Sequence, residues 1–336
     1  MVTPPFDALR LVNGYRVFQM TVAACELKLP DLLADGPRTV HDLAATTDTH
    51  ERSLLRLLRG LAAWGLVKQL PDDRFEATAL ADSFRSDRPG LRAATLSQNR
   101  EGYAAWAHLM YSLRTGEPAF EHVFGKSPWA VAAENPEGAA LFNASMFEQT
   151  NRIGAAVAAG YDLTGVATAV DVGGGNGALL TALLKARPDL KGILFDLPTG
   201  LVGARERLEA AGIAGRITIV EGNFFDSVPS DGDVYLLKSI VHDWDDAHAI
   251  DILKTCRQAM RPGARLVLVE RILPDHVDQT PESIGAFMLD LHMMVVLGGR
   301  ERTAAEYGEL FASAGLRATR SAPIGGGFGY FEAVPA

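Results

Sequence analysis

Two different hydrophobic rhythms divide this chain. Up to about residue 100 apolar positions recur at helical spacing, most plainly at Leu54, Leu55, Leu57, Leu58, Leu61 and Leu66. Ahead of that face, Thr39-Val40-His41-Asp42-Leu43-Ala44 predicts a short helix, because a threonine hydroxyl can accept from the free amides of a first turn. Behind it, Val67 to Ala77 predicts two short extended pieces around a polar Pro71-Asp72-Asp73 turn. Helix, helix and β-ribbon in that order is the pattern of a winged helix. The stretch from Leu91 to Ala158 is again helical and rich in aromatics, including Tyr103, Trp106, Phe120, Trp129, Phe142 and Phe147.

From Val166 the rhythm changes to short apolar strands alternating with amphipathic helices. Strands are predicted at Thr168–Val172, Gly192–Phe195, Ile217–Val220, Val234–Leu237 and Arg265–Val269, with two more at Leu316–Thr319 and Tyr330–Val334 closing the chain. Strands that are apolar on both faces belong to a parallel, doubly wound sheet. The expected fold class is therefore α/β: a Rossmann-like domain over 159–336 behind a mostly helical winged-helix domain over 1–100, with helices 101–158 joining the latter.

Composition narrows the function classes. The chain has 336 residues, 48% of them hydrophobic and 22% charged, enough apolar material for two full cores. No apolar run reaches membrane-spanning length, and Met1-Val2-Thr3-Pro4-Pro5 lacks the basic-then-apolar pattern of a signal peptide. Cys25 and Cys256 are too few and too far apart for a metal or disulfide framework. A cytoplasmic protein with no membrane partner is expected. The net charge of −9 disfavours nucleic acid, whose phosphates it repels.

The chemistry gathers where strands end. Ala169-Val170-Asp171-Val172-Gly173-Gly174-Gly175-Asn176-Gly177 closes the first strand and opens a helix near Ala178. Glycines there let backbone approach a ligand, and the helix start adds free amides. The spacing is not that of a dinucleotide dehydrogenase, since Ala178 stands where the third glycine belongs. Phe195-Asp196-Leu197-Pro198 ends the second strand with a carboxylate that suits the two hydroxyls of an adenosine ribose. Glu221-Gly222-Asn223-Phe224 follows the third, offering an amide for a base edge and a ring for its face.

The fourth strand runs into Lys238-Ser239-Ile240-Val241-His242-Asp243-Trp244-Asp245-Asp246. A histidine at this edge is a natural base near neutral pH, whereas Asp245 is expected to cap the next helix, whose apolar face is Ile250, Leu253, Cys256 and Met260. Two glutamates could orient His242: Glu270, ending the fifth strand, and Glu301, in Gly298-Gly299-Arg300-Glu301-Arg302-Thr303.

Together these motifs resemble the plant-type and bacterial natural-product O-methyltransferases, relatives of the caffeate and hydroxyindole enzymes, over nearly the whole chain. The resemblance implies a class I methyltransferase domain that binds S-adenosylmethionine and releases S-adenosyl-L-homocysteine, with no metal. The expected cofactor residues are Asp171, Gly173, Gly175, Asp196, Leu197, Gly222, Asn223, Phe224, Lys238 and Ser239. The resemblance also implies His242 as base, flanked by Glu270 and Glu301, acting on an aromatic hydroxyl. Most relatives carry Asp at the place of Asn223, so somewhat weaker cofactor binding is expected. Further implications are a homodimer through the N-terminal domain and a winged helix that serves dimerisation and reads no DNA. The acceptor pocket is expected among Trp106, Phe142, Asn143, Met146, Asp243, Phe287, Met288, Asp290, Leu291, His292 and Met294.

Two other functions fit parts of the pattern. Some members of this fold keep the cofactor site but hydroxylate or decarboxylate; His242 and both glutamates argue for methyl transfer instead. A cofactor-sensing winged-helix regulator would use Arg52, Arg56 and Arg59 on its recognition helix, residues that equally suit a solvated face.

Overall fold

In a computed structural model that describes residues 6–336, one compact unit ends at Tyr103 and a second spans Ala104–Ala336. The first holds helices α1 (Phe6–Glu26), α2 (Leu29–Leu32), α3 (Val40–Thr47) and α4 (Glu51–Ala63), and α5 (Arg92–Gln98) follows. Its small sheet, β1 (Arg38–Thr39), β2 (Val67–Gln69) and β3 (Arg74–Ala77), has the order β1-β3-β2. Thr39 caps α3 by accepting the Asp42 amide at 3.1 Å. Leu54, Leu58, Leu61 and Leu66 are buried with Leu29, Leu43 and Phe75, so the leucine periodicity marked a real core face. Helix, helix and ribbon are all present, as a winged helix requires.

Helix α6 (Glu101–Trp106) crosses the border between the units. Beyond it come α7 (Leu109–Thr115), α8 (Ala119–Phe124), α9 (Pro128–Glu134) and α10 (Pro136–Gly160). The sequence reading joined helices 101–158 to the first domain; from Ala104 onward they belong to the second unit. The cause is apolar. Ile153 and Val157 of α10 are buried with Leu179, Leu180 and Leu183 of α11 (Ala178–Ala186), and Gly154 admits Ala182 so closely that a Cβ would stand 2.9 Å from it.

The second unit is organised by strands β4 (Thr168–Val172), β5 (Lys191–Asp196), β6 (Ile217–Glu221), β7 (Val234–Lys238), β8 (Arg265–Arg271), β9 (Leu316–Gly325) and β10 (Phe328–Pro335). They form one sheet of order β6-β5-β4-β7-β8-β10-β9. The connecting helices are α11, α12 (Ala204–Ala210), α13 (Asp246–Ala259), α14 (Pro281–Val296) and α15 (Ala304–Ser313). Strands β4 to β8 pair in parallel. The last two depart from the expected all-parallel pattern: β10 is antiparallel to both β8 and β9. Only Gly326-Gly327 separates β9 from β10, and a connection that short permits only a hairpin. Val234, Leu236, Leu266, Val267, Leu268 and Val269 are fully buried, and truncating one such residue to alanine costs about 2–5 kcal/mol.

Strand order reverses at β4, with β5 to one side and β7 to the other. In such sheets the crevice outside the carboxyl ends at that reversal is where ligands bind. The loops after β4, β5, β6 and β7 therefore face one place. Among the described residues no helix is long and apolar enough to cross a membrane. Both cysteines are buried and unpaired.

Candidate active site

At the head of the crevice, Gly173 adopts φ +70°, and a Cβ there would stand 2.5 Å from Ile240 Cδ1 and 3.7 Å from a Phe224 ring carbon. Glycine thus lets the β4 loop meet the loops after β6 and β7. Asp196 braces that turn: one oxygen accepts the Gly175 amide at 2.8 Å, the other the Leu197 amide at 2.6 Å. Asp171 is buried with one oxygen unpartnered; burial, and then the neighbouring Asp196, push its carboxyl up to about 7. Ser239 holds φ +54°, uncommon for any residue but glycine, with its hydroxyl buried and unpartnered.

Asn223 follows Gly222 and is exposed, its Oδ1 accepting the Phe225 amide at 3.0 Å. That bond leaves the side-chain NH₂ as the freer end, a donor for a base nitrogen. The Phe224 ring lies edge-on to Phe225 at 5.0 Å. Lys238 donates to Gln149 Oε1 of α10 at 2.7 Å, and burial pulls its ammonium down to about 8.

His242 sits in a single 3₁₀ turn, Val241–Asp243, just beyond β7. Its Nδ1 is 2.7 Å from Glu301 Oε1, and its Nε2 is 3.3 Å from Asp243 Oδ1. Glu301 is wholly buried, its amide held by Asp290 at 2.9 Å. Glu270 does something different from holding the ring: its Oε1 accepts the backbone amides of Ile240 (2.9 Å) and Val241 (3.0 Å). It fixes the turn that carries the histidine. Burial alone would lower the pKa of His242, but the charges of Glu270, Asp243 and Glu301 outweigh it and raise it to about 10. Burial pushes Asp243 up to about 6 and Glu270 up to about 7. Asp245 caps α13, taking the His248 amide at 2.9 Å.

The expected acceptor residues fall into two groups. Trp106 donates its indole N–H to His292 Nδ1 at 3.0 Å, and His292 lies within electrostatic reach of His242. Met294 and Trp106 both pack against the cluster around Val295 and Val296. Asn143, by contrast, belongs to the glycine-loop side, donating to the Thr199 carbonyl while its own carbonyl takes the Asn176 amide, both at 3.3 Å. Phe142 meets Trp129 edge-on, and Trp129 stacks on Trp244. The Met146 carbonyl accepts the Thr150 hydroxyl at 2.7 Å, a bond internal to α10. Phe287 and Leu291 are half-buried, and Met288 is 52% exposed.

Three residues at the site escaped sequence reasoning. Gln149 receives Lys238. Trp244 edges onto Phe225 at 4.8 Å and is signalled only by lying two places after His242. Arg302, wholly buried, donates to the carbonyls of Val241 and Trp244, both at 3.0 Å, clasping the histidine turn from either side.

A reversal-point crevice with a glycine cradle, a carboxylate at the second strand and a buried histidine at the fourth defines a nucleoside-cofactor group-transfer enzyme. Residues 106–317 match the O-methyltransferase domain family, and residues 9–87 match the O-methyltransferase dimerisation domain. The chain is 39% identical to the phenazine O-methyltransferase PhzM of Lysobacter antibioticus, covering 97% of this chain and 95% of that one. It is 42% identical to the O-demethylpuromycin-O-methyltransferase of Streptomyces alboniger, covering 93% and 84%. It superposes with a TM-score of 0.84 on the O-methyltransferase NcsB1 from neocarzinostatin biosynthesis, solved with S-adenosylmethionine and 2-hydroxy-5-methyl naphthoic acid. That pair is 32% identical and covers 95% of this chain and 96% of the other. The chain belongs to the O-methyltransferase family and is a methyltransferase dependent on S-adenosylmethionine.

Proposed function

We propose that this enzyme methylates a hydroxyl of an aromatic small molecule in natural-product biosynthesis, with His242 as general base. One observation carries the assignment of the base: the imidazole stands in the crevice region with a buried carboxylate 2.7 Å behind its Nδ1. The expected cofactor fits the residues present. Gly175 gives an open backbone cradle, since a Cβ there would meet nothing within 4 Å, while Gly173 lets the neighbouring Ile240 close against the turn. The unpartnered Asp171 and Ser239 oxygens leave acceptor capacity beside it. S-adenosylmethionine, when bound, supplies a methyl carbon on a positively charged sulfur.

The remaining work belongs to the protein. Asp196 and Asn223 hold the nucleoside, and Phe224 covers the base. Nε2 of His242 takes the acceptor's hydroxyl proton while Glu301, on Nδ1, fixes the tautomer and carries part of the imidazolium charge. General-base catalysis of this kind contributes about 10²–10⁴-fold. The exposed apolar residues Leu9, Leu11, Val12 and Tyr15 of α1 support a homodimer through the N-terminal unit, the role for which its matching family is named.

Incubation with S-adenosylmethionine and a panel of phenols, naphthols and polyketide aromatics, read by mass spectrometry, tests the reaction. A product heavier by one methyl group is expected, and His242→Gln should lose most turnover at saturating acceptor. Gain of oxygen or loss of carboxyl would overturn the assigned chemistry; near-full turnover in His242→Gln would overturn the assigned base.

A further inference from the structure

Among the expected acceptor residues, His292 alone is locked into one tautomer. An indole N–H can only donate, so the 3.0 Å contact from Trp106 Nε1 makes Nδ1 of His292 an acceptor, without a proton. Turning the ring over would replace that nitrogen by a carbon and lose the bond. The neutral imidazole must therefore carry its hydrogen on Nε2. No described residue takes that hydrogen, and His292 keeps part of its surface open. The two rings lie nearly parallel, 21° apart with centroids at 6.3 Å, so the indole also fixes where the imidazole points. Burial, and then the charge of His242, push the pKa of His292 down to about 4, so the donor persists through the neutral range.

We infer that His292 is a specificity residue: its Nε2–H donates to an oxygen acceptor adjacent to the reacting hydroxyl, which selects planar aromatics carrying a carbonyl ortho or peri to that hydroxyl. This rests on the aromatic O-methylation proposed above. It also answers a difficulty in that chemistry. In an ortho or peri hydroxy-carbonyl compound the hydroxyl proton is tied up in an internal hydrogen bond to the carbonyl. A donor that engages the carbonyl from outside competes with that bond and turns the hydroxyl toward His242. No proton leaves His292, because it acts as a neutral donor throughout.

The test is calorimetric binding of 1-hydroxyanthraquinone and of 1-hydroxyanthracene to the full-length enzyme loaded with S-adenosylhomocysteine. The two ligands share the flat ring system and the hydroxyl; only the first has a carbonyl peri to it. Wild type should bind the quinone about 3- to 10-fold tighter, the value of one net hydrogen bond. His292→Leu should abolish that preference, the quinone losing about 3- to 10-fold more affinity than 1-hydroxyanthracene does. Trp106→Phe, which keeps a ring but frees the tautomer, should shrink the preference without abolishing it. Equal affinities in wild type, or a preference that survives His292→Leu, would overturn the inference, and an unchanged melting temperature would show that the variant is folded. Methyl transfer measured in parallel separates the two ideas: a preference lost in His292→Leu with no methylated product from either compound would keep the contact and sink the aromatic methylation reading.

Discussion

Replacing Arg302 by lysine should unfold the methyltransferase unit at a markedly lower temperature, and the size of the effect follows from which contacts survive. Arg302 makes five hydrogen bonds: two to Asp246 Oδ1 (3.0 and 2.7 Å) and one each to the carbonyls of Val241, Trp244 and Arg300 (3.0, 3.0 and 3.3 Å). A lysine ammonium has no planar fork and can keep roughly two of them. The Asp246 pair adds little, because Asp246 is 55% exposed and water screens it. The Val241 carbonyl retains the Trp244 amide at 3.3 Å. The main losses are a donor for the Trp244 carbonyl and the fit of a wholly buried guanidinium, at about 1–3 kcal/mol for each unpaired buried group. A total of about 2–4 kcal/mol corresponds, at about 2–4 °C per kcal/mol for a unit of this size, to a fall of about 5–15 °C. Scanning calorimetry on the full chain reads it directly. Arg300→Lys is the control, since the Arg300 side chain is 43% exposed and its ion pairs are solvated; its transition should barely move. A shift under about 2 °C in Arg302→Lys would refute the view that this guanidinium holds the histidine turn.

Other expectations follow from the same geometry. The raised pKa of His242 keeps the ring protonated at neutral pH, so kcat/KM for a simple phenol should rise with pH above neutrality, once Asp243 and Glu270 are ionised; a flat profile from about pH 7 to 9 would contradict the base assignment. Glu301→Gln removes one of the charges that raise this pKa, so the break should move to lower pH while the plateau falls about 10- to 100-fold, the value of a charge-assisted hydrogen bond. Gly175→Ala, at φ +56°, strains the turn and puts a methyl into its open space, so calorimetric S-adenosylhomocysteine binding should weaken about tenfold or more; unchanged affinity would mean the cofactor does not approach that turn. Glu270→Gln, which keeps an acceptor for the Ile240 and Val241 amides, should retain far more activity than Glu270→Ala; equal losses would show that the charge matters more than the bracing.

What the sequence disclosed depended on whether a feature is written in side chains or in backbone. Strands β4 to β8 were legible because parallel strands are apolar on both faces, and the loop roles because ligands collect where such strands end. The His242–Glu301 contact spans 59 positions; the residue types offered Glu270 and Glu301 alike as partners for the ring, and nothing local to either says which one bonds it. Glu270 was noticed as a neighbour of His242, on which its charge does act, but its bonds to two backbone amides went unread, because every sequence has such amides everywhere. Arg302 was overlooked for the same reason, its main partners being carbonyls. The antiparallel end of the sheet was recoverable in principle, because two residues between Gly325 and Phe328 leave no room for a crossover.

The carboxylates around His242 look at first like a poor way to build a base. Three of them raise its pKa to about 10, so that at neutral pH only about one molecule in a thousand carries the free imidazole. The comparison that matters is with the acceptor. A phenolic hydroxyl titrates near 10, so proton transfer from a phenol to this imidazole is close to thermoneutral. An unperturbed histidine, near 6.5, would face a deficit of about 3.5 pKa units, or about 5 kcal/mol, for the same transfer. A carboxylic acid acceptor gains nothing from either, since it is already ionised at neutral pH. On the proposed base role, the cluster formed by Asp243, Glu270 and Glu301 exchanges free base for base strength, and for a phenol the cost of freeing the ring, roughly 3 pKa units at neutral pH, nearly offsets the gain of roughly 3.5.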